Sequence, residues 1–367
     1  MDSVDVLIVG AGPCGLAAAI ACGRAGLRAV VFDRGPLVSG IVSYPAYMTF
    51  FSTAERIAIG GVPFVVAADK PTRRDALAYY RMVTTHCGLD VRQYEGVEWI
   101  EPLHATPGDG AASNGAGGGE RPARFRVRTR SWHGVERDVL AHAVVVATGY
   151  FGTPSKLGVP GEELPHVTHY FREGHEAFQR RAIVVGGGNS AVDAALELYR
   201  AGARVTMVHF GPQLDPNIKP WVLPDISARL REGTIGARWQ SRVLRIEPDA
   251  VILRSASPDE SDVVREERLP ADHVYLMTGF LPNSRLLEQL GVPLHPVDGI
   301  PAHDPATMET SVPGVFIAGV IASGFHANRI FIENGRDHGT QIAAALERQA
   351  ATRRQGGVEA SGARRAS

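Results

Sequence analysis

Two glycine clusters and one thiol are the residues of this sequence best fitted to chemistry. Gly10-Ala11-Gly12-Pro13-Cys14-Gly15 has the spacing G-x-G-x-x-G, and Gly186-Gly187-Gly188-Asn189-Ser190-Ala191 has its G-x-G-x-x-A form. Glycines so spaced, between a strand and a helix, permit a tight turn and let the backbone close on a pyrophosphate. The helix N-terminus adds N–H donors and a positive dipole. The expected chemistry is dinucleotide binding at two sites. Cys14 lies inside the first cluster, in the opening turn of the expected helix, where the dipole favours thiolate and a bound phosphate opposes it.

The elements that must position these residues are legible around both clusters. Residues 4–9 are apolar and β-branched and read as a strand, residues 16–25 as a helix, and residues 29–32 as a second buried strand. Asp33 closes that strand where an acid is wanted to hold a ribose hydroxyl pair. The same order recurs as a strand at 182–185, a helix at 191–199 and a strand at 204–208, but the position expected to carry the acid holds His209. A carboxylate there would repel a 2′-phosphate, so its absence tilts the second site toward NADP, with Lys219 either reaching the phosphate or standing as a solvated surface lysine. Two such units imply an α/β chain with two Rossmann-like nucleotide-binding domains.

Composition narrows the partners. The 367 residues are 44% apolar and 21% charged with a net charge of -1, so no basic surplus exists for a nucleic acid. The apolar run at 16–22 is cut by Gly23 and Arg24, far short of the ~20 residues of a membrane span. The acidic start of the chain, which leads straight into a strand, points to the cytoplasm. Cys14, Cys22 and Cys87 include no C-x-x-C, which argues against a disulfide framework. No metal site is expected either, since His166, His169 and His175 have no further ligand at suitable spacing. The Gly/Ala-rich stretch 105–120 reads as a flexible hairpin tip joining strands at 97–100 and 125–129, and the polar stretch 351–367 as a disordered tail.

Six segments carry a family resemblance: GAGPCGLAAAI (10–20), SYPAYMTFFSTAERIAIGGVPF (43–64), ATGYFG (147–152), VVGGGNSAVDAALEL (184–198), IKPWVLP (218–224) and IAGVIASGFHANRIFIENGRDHG (317–339). They resemble the FAD-dependent pyridine nucleotide–disulfide reductases, in the small thioredoxin-reductase-like branch, and within it the bacilliredoxin reductase family. The resemblance implies an FAD-binding domain split over 1–150 and 280–350, with an NADP-binding domain, 151–279, inserted between. It implies FAD on Gly10, Gly12, Pro13, Cys14, Gly15, Asp33, Arg34, Tyr44, Thr49, Ser52, Val97, Thr148, Gly149, Gly319 and Val320. NADPH would lie on Gly186, Gly188, Asn189, Ser190, Ala191, His209 and Lys219. The implied activity passes electrons from NADPH through FAD to a small-molecule disulfide, bacillithiol disulfide, or to a bacilliredoxin mixed disulfide, in a homo-oligomer.

The departures are informative. Thioredoxin reductases carry a redox C-x-x-C just before the second glycine cluster, and residues 161–181 hold no cysteine. Phe210 stands where the family places an arginine beside the position of His209, and Gly319-Val320 replaces the Asp with which thioredoxin reductases end the C-terminal strand. Cys14 is then either the redox thiol or a small residue filling a crowded turn. Cys22, about two helical turns on and about 12 Å away, is beyond disulfide reach, so a resolving sulfur would come from the substrate. Glu333 and Asn334 fall in the last segment, at an interface or near the flavin. Other readings are a flavin monooxygenase, a ferredoxin–NADP reductase, or a flavin redox sensor without turnover.

Overall fold

A computed structural model describes residues 2–103, 123–256 and 264–363, so the expected hairpin tip at 105–120 lies outside the described residues. The strands are β1 (Asp2–Val9), β2 (Ala29–Asp33), β3 (Asp90–Gln93), β4 (Glu95–Pro102), β5 (Phe125–Ser131), β6 (Glu136–Val146), β7 (Val167–Thr168) and β8 (Arg181–Val185). They continue as β9 (Arg204–Val208), β10 (Gly236–Arg238), β11 (Ser241–Glu247), β12 (Ala250–Ala256), β13 (Val264–Pro270), β14 (His273–Leu276) and β15 (Val315–Ile317). The chain divides into two compact units, one from Met1–Val42, Thr49–Gly152 and Leu281–Ser367, the other from Ser43–Met48 and Thr153–Phe280.

The first unit is built on a seven-stranded sheet in the order β3-β2-β1-β6-β5-β4, with β15 also paired to β6. The end of β6, residues 144–146, lies parallel to both β1 and β15, while its start runs antiparallel to β5. Residues 6–9 and 144–146 are buried, and they read as unbroken apolar runs because a sheet covered on both faces needs no alternation. The first helix, Pro13–Arg24, starts on proline, which presets the backbone where no N–H partner is needed. Its alanines admit the last helix closely, since a Cβ added to Gly339 would sit 2.6 Å from the Ala18 Cα. That last helix runs from His338 to Ala363, which corrects the disordered tail expected from residue 351. The alanine, arginine and glutamine of residues 350–355 extend an anchored helix at little cost ahead of Gly356 and Gly357, so polarity alone is a poor guide to where it ends.

The second unit holds a parallel sheet, β10-β9-β8-β14-β7, and a three-stranded antiparallel sheet, β11-β12-β13. In both larger sheets the order reverses beside one strand: β1 lies between β2 and β6, and β8 between β9 and β14. Ligands of such sheets bind at the C-terminal ends of the strands where the order reverses, and each glycine cluster follows one of them.

Residues 43–48 belong to the second unit, not to the first as the expected boundaries had it. Ala46 N–H donates to the Arg172 carbonyl at 3.1 Å, and the Tyr47 ring meets the edge of Phe171 at 6.4 Å. Such contacts across more than a hundred residues leave no local signature. Asp193, in helix Asn189–Arg200, is pushed up to about 6 by burial and by neighbouring Glu197. The folded state therefore holds its proton more tightly than the unfolded chain, a stabilisation present at pH 3 and lost as pH rises through 6. Asp193→Asn is expected to stabilise the protein by about 1–2 kcal/mol at pH 7.5 and by nothing near pH 3.5, as thermal melts at the two pH values will report.

Candidate active site

At the first cluster the chain crosses itself tightly. Gly10 N–H donates to the Phe32 carbonyl at 2.7 Å and Ala147 N–H to the Val9 carbonyl at 2.8 Å. Gly10 has φ +113°, and a Cβ there would overlap the Ala147 carbonyl. Gly12 and Gly149 differ, because an added Cβ would meet no atom within 4 Å. At Gly12, whose backbone any residue can adopt, the chain's own packing leaves room for a side chain, so the space kept open fits a ligand brought against the backbone, as a dinucleotide pyrophosphate is, whereas at Gly149 a φ of +70° itself calls for glycine.

Asp33, buried at the end of β2, accepts from Ala11 N–H and Gly35 N–H, both at 2.8 Å. Burial pushes its carboxyl up from the usual range, against these hydrogen bonds and the charge of Arg34. Ser39 also bonds the carboxylate through its side chain, and a carboxylate, which accepts about four hydrogen bonds, keeps capacity for a ribose hydroxyl. Arg34 donates to the Gly152 carbonyl at 3.1 Å, and Thr148 Oγ1 to that of Asn283 at 3.1 Å, so both side chains pin loops around the cluster. Val97 is buried in β4, Thr49 bridges to Thr72, and Ser52 is half-buried. Tyr44 belongs to the second unit, and burial pushes its phenol up.

The Cys14 sulfur occupies a seat made of two glycines from the far end of the chain. A Cβ on Gly319 or on Gly335 would come within 3.0 Å of Sγ, and Gly319 has φ +79°. Gly319 and Val320 arrive there because β15 pairs with the end of β6 and Ala318 N–H donates to the Val146 carbonyl at 3.0 Å. Gly319 N–H donates in turn to His338 Nδ1 at 3.1 Å, which puts the ring proton of neutral His338 on Nε2. Burial and His303 hold that imidazole below its ordinary value, so it is neutral at pH 7. The helix dipole does not make Cys14 a thiolate: burial first, then the Asp337 charge, pushes the thiol up to about 12. Gly335, Asp337 and His338 are the neighbours sequence reasoning missed, although all three lie inside the family-like segment 317–339. Glu333 pairs with Arg56 at 3.2 Å, and Asn334 bonds the backbone of Phe331 and Arg329, so both serve the local fold.

The second cluster repeats the crossing. Gly186 follows β8, and a Cβ on it would overlap the Met277 carbonyl just past β14, as Gly10 does with Ala147. Asn189 accepts from Lys219 N–H at 2.9 Å and donates to the Asn217 carbonyl at 3.0 Å, and Asp215 N–H donates to the Gly187 carbonyl at 3.0 Å. The 215–219 segment is thereby stitched across the start of the helix that carries Ser190 and Ala191. His209 is 4% exposed, with Nε2 3.4 Å from Asp215 Oδ1. His169 bonds Glu162 at 3.2 Å, and among the described residues no group of three His, Cys, Asp or Glu side chains is arranged to hold a metal.

Two sheets, each with a glycine loop where its strand order reverses, and a thiol seated in the first loop define a nicotinamide-dependent flavin oxidoreductase. The chain belongs to the pyridine nucleotide-disulphide oxidoreductases, whose family model matches residues 7–106 and 121–319. It is 40% identical over 349 residues, 95% of this chain and 99% of the relative, to the bacilliredoxin reductase Bdr of Bacillus subtilis. The bacillithiol disulfide reductase Bdr of Bacillus cereus superposes with a TM-score of 0.85 at 39% identity, covering 95% of this chain and 100% of that one. That of Staphylococcus aureus gives 0.82 at 35% identity, covering 95% and 99%. The cofactors are accordingly FAD and NADPH.

Proposed function

We propose that the chain is an NADPH-dependent reductase of bacillithiol disulfide or of a bacilliredoxin mixed disulfide, with Cys14 as its redox thiol. The observation that carries this reading is the Cys14 sulfur held against Gly319 and Gly335 at the first glycine loop. Bound FAD supplies the two-electron chemistry, taken from NADPH as hydride and delivered to a disulfide. Gly10, Gly12, Pro13, Gly15, Thr148 and Gly149 hold its pyrophosphate side, Asp33 and Arg34 its adenosine, and Thr49, Ser52, Gly319 and Val320 its remaining length. Gly186, Gly188, Asn189, Ser190 and Ala191 hold NADPH, with His209 under the adenosine. The Cys14 thiolate attacks the substrate disulfide, the S–S bond breaks, one thiolate leaves, and the second half stays on Sγ as a mixed disulfide. Two electrons and a proton then return the Cys14 thiol and free the second thiolate. Neutral His338, bonded through Nδ1 to Gly319, holds the backbone side of the seat.

We take the protein to be a cytoplasmic homo-oligomer. Among the described residues no helix is long and apolar enough to cross a membrane. Anaerobic stopped-flow absorbance tests the activity. NADPH is expected to bleach the flavin, and bacillithiol disulfide to restore its colour. Bleaching followed by reoxidation only by oxygen or a ferredoxin overturns the disulfide as substrate.

A further inference from the structure

The second site lacks the arginine expected beside His209, and the chain replaces it from elsewhere. We infer that Arg242 is the residue that selects NADPH over NADH, by holding the 2′-phosphate at the end of β9; this rests on NADPH binding at the second glycine cluster. β9 and β10 run parallel, with Val208 opposite Arg238, so their C-terminal ends emerge together at the edge where nucleotides bind. Three backbone hydrogen bonds then lock the two continuations: His209 N–H to the Arg238 carbonyl at 2.9 Å, Ser241 N–H to that of His209 at 3.0 Å, and Gln240 N–H to that of Gly211 at 2.9 Å. Arg242 follows directly, in β11, and its guanidinium lies 5.0 Å from the centre of the Phe210 ring.

Phe210 thus does not fill the place of a phosphate-binding arginine but provides the platform for one. A guanidinium stacked on a ring keeps its N–H fork free in the plane, and that fork matches phosphate oxygens. Among the described residues Arg242 has no carboxylate partner, whereas its neighbours are spoken for: Arg238 is bidentate to Glu267 at 2.8 Å, and Arg245 pairs with Glu247 at 3.2 Å and Glu266 at 3.5 Å. The wall behind the site is built for the same end. The His209 ring lies against Gly187, where a Cβ would meet three ring atoms at 2.6–2.7 Å, and its buried Nδ1 has no hydrogen-bond partner among the described residues. Asp215, the acid paired with His209, lies beside Gly188, where a Cβ would come 3.2 Å from its Oδ2.

Calorimetric titration of the flavin-loaded protein with NADP+ and NAD+ tests this without turnover. Losing a charge-assisted pair to phosphate is expected to weaken NADP+ about 10- to 100-fold in Arg242→Ala and leave NAD+ unchanged. Arg242→Gln, which keeps a side chain on Phe210 without the charge, is expected to behave the same. If either variant keeps the wild-type ratio of the two affinities, the assignment of Arg242 is wrong while NADPH stays at the second cluster. A wild-type protein that binds neither nucleotide overturns that placement, and this inference with it.

Discussion

Cys14→Ala is expected to cut disulfide turnover by about 100-fold or more while NADPH bleaches the flavin at the wild-type rate, because in the proposed reaction only the second half uses the thiol. The pH profile follows from the same residue. With the thiol pushed up to about 12, the thiolate is a small minority at pH 7, and its fraction rises about tenfold per pH unit below that value. Nucleophilicity falls as pKa falls, so a thiolate of high pKa regains part of that loss in intrinsic reactivity. The disulfide half-reaction should therefore climb steadily from about pH 6.5 to about 9, with the NADPH half-reaction flat by comparison. Rapid mixing of pre-reduced protein with bacillithiol disulfide measures it. Wild-type rates in Cys14→Ala, with the same pH profile, would return Cys14 to a packing role between Gly319 and Gly335 and leave direct reduction of the disulfide by the flavin.

What could be read from the sequence was what depends on neighbours in the chain. Gly10, Gly186 and Asp33 were legible because strand, turn, helix and strand follow one another within about thirty residues, and each carries its own pattern. The surroundings of Cys14 were not, since Gly335, Asp337 and His338 reach it from the opposite end of the chain, and no periodicity links them to residue 14. The helix dipole and a bound phosphate pull the Cys14 thiol in opposite directions and leave its shift open, whereas desolvation, which depends on everything packed around it, pushes it up. Arg242 was invisible for a similar reason. The sequence shows a phenylalanine where an arginine belongs, and only the pairing of β9 with β10 brings the missing cation back onto that ring. The same holds for residues 43–48, which join the second unit through Arg172 and Phe171.

The two glycines of the first loop should separate when each is changed to alanine. Gly12 has φ -73° and ψ 171°, a conformation open to any residue, and its Cβ would meet nothing of the chain. Gly12→Ala is therefore expected to fold within about 0.5 kcal/mol of wild type and to purify without flavin, because the methyl group occupies the space the pyrophosphate needs. Gly10→Ala combines a strained φ of +113° with overlap on the Ala147 carbonyl, the point where β1 and β6 are tied together. It should cost about 2–4 kcal/mol in addition to losing the flavin. The comparison must be made on flavin-free protein, since a cofactor that binds only the folded state raises apparent stability by itself. Flavin absorbance per chain and the melting midpoint of each apoprotein decide it. Were Gly12→Ala to keep a full complement of flavin, the open space over Gly12 would not be the pyrophosphate cradle. Were it to melt as early as Gly10→Ala, packing rather than a ligand would be the reason for glycine at both positions.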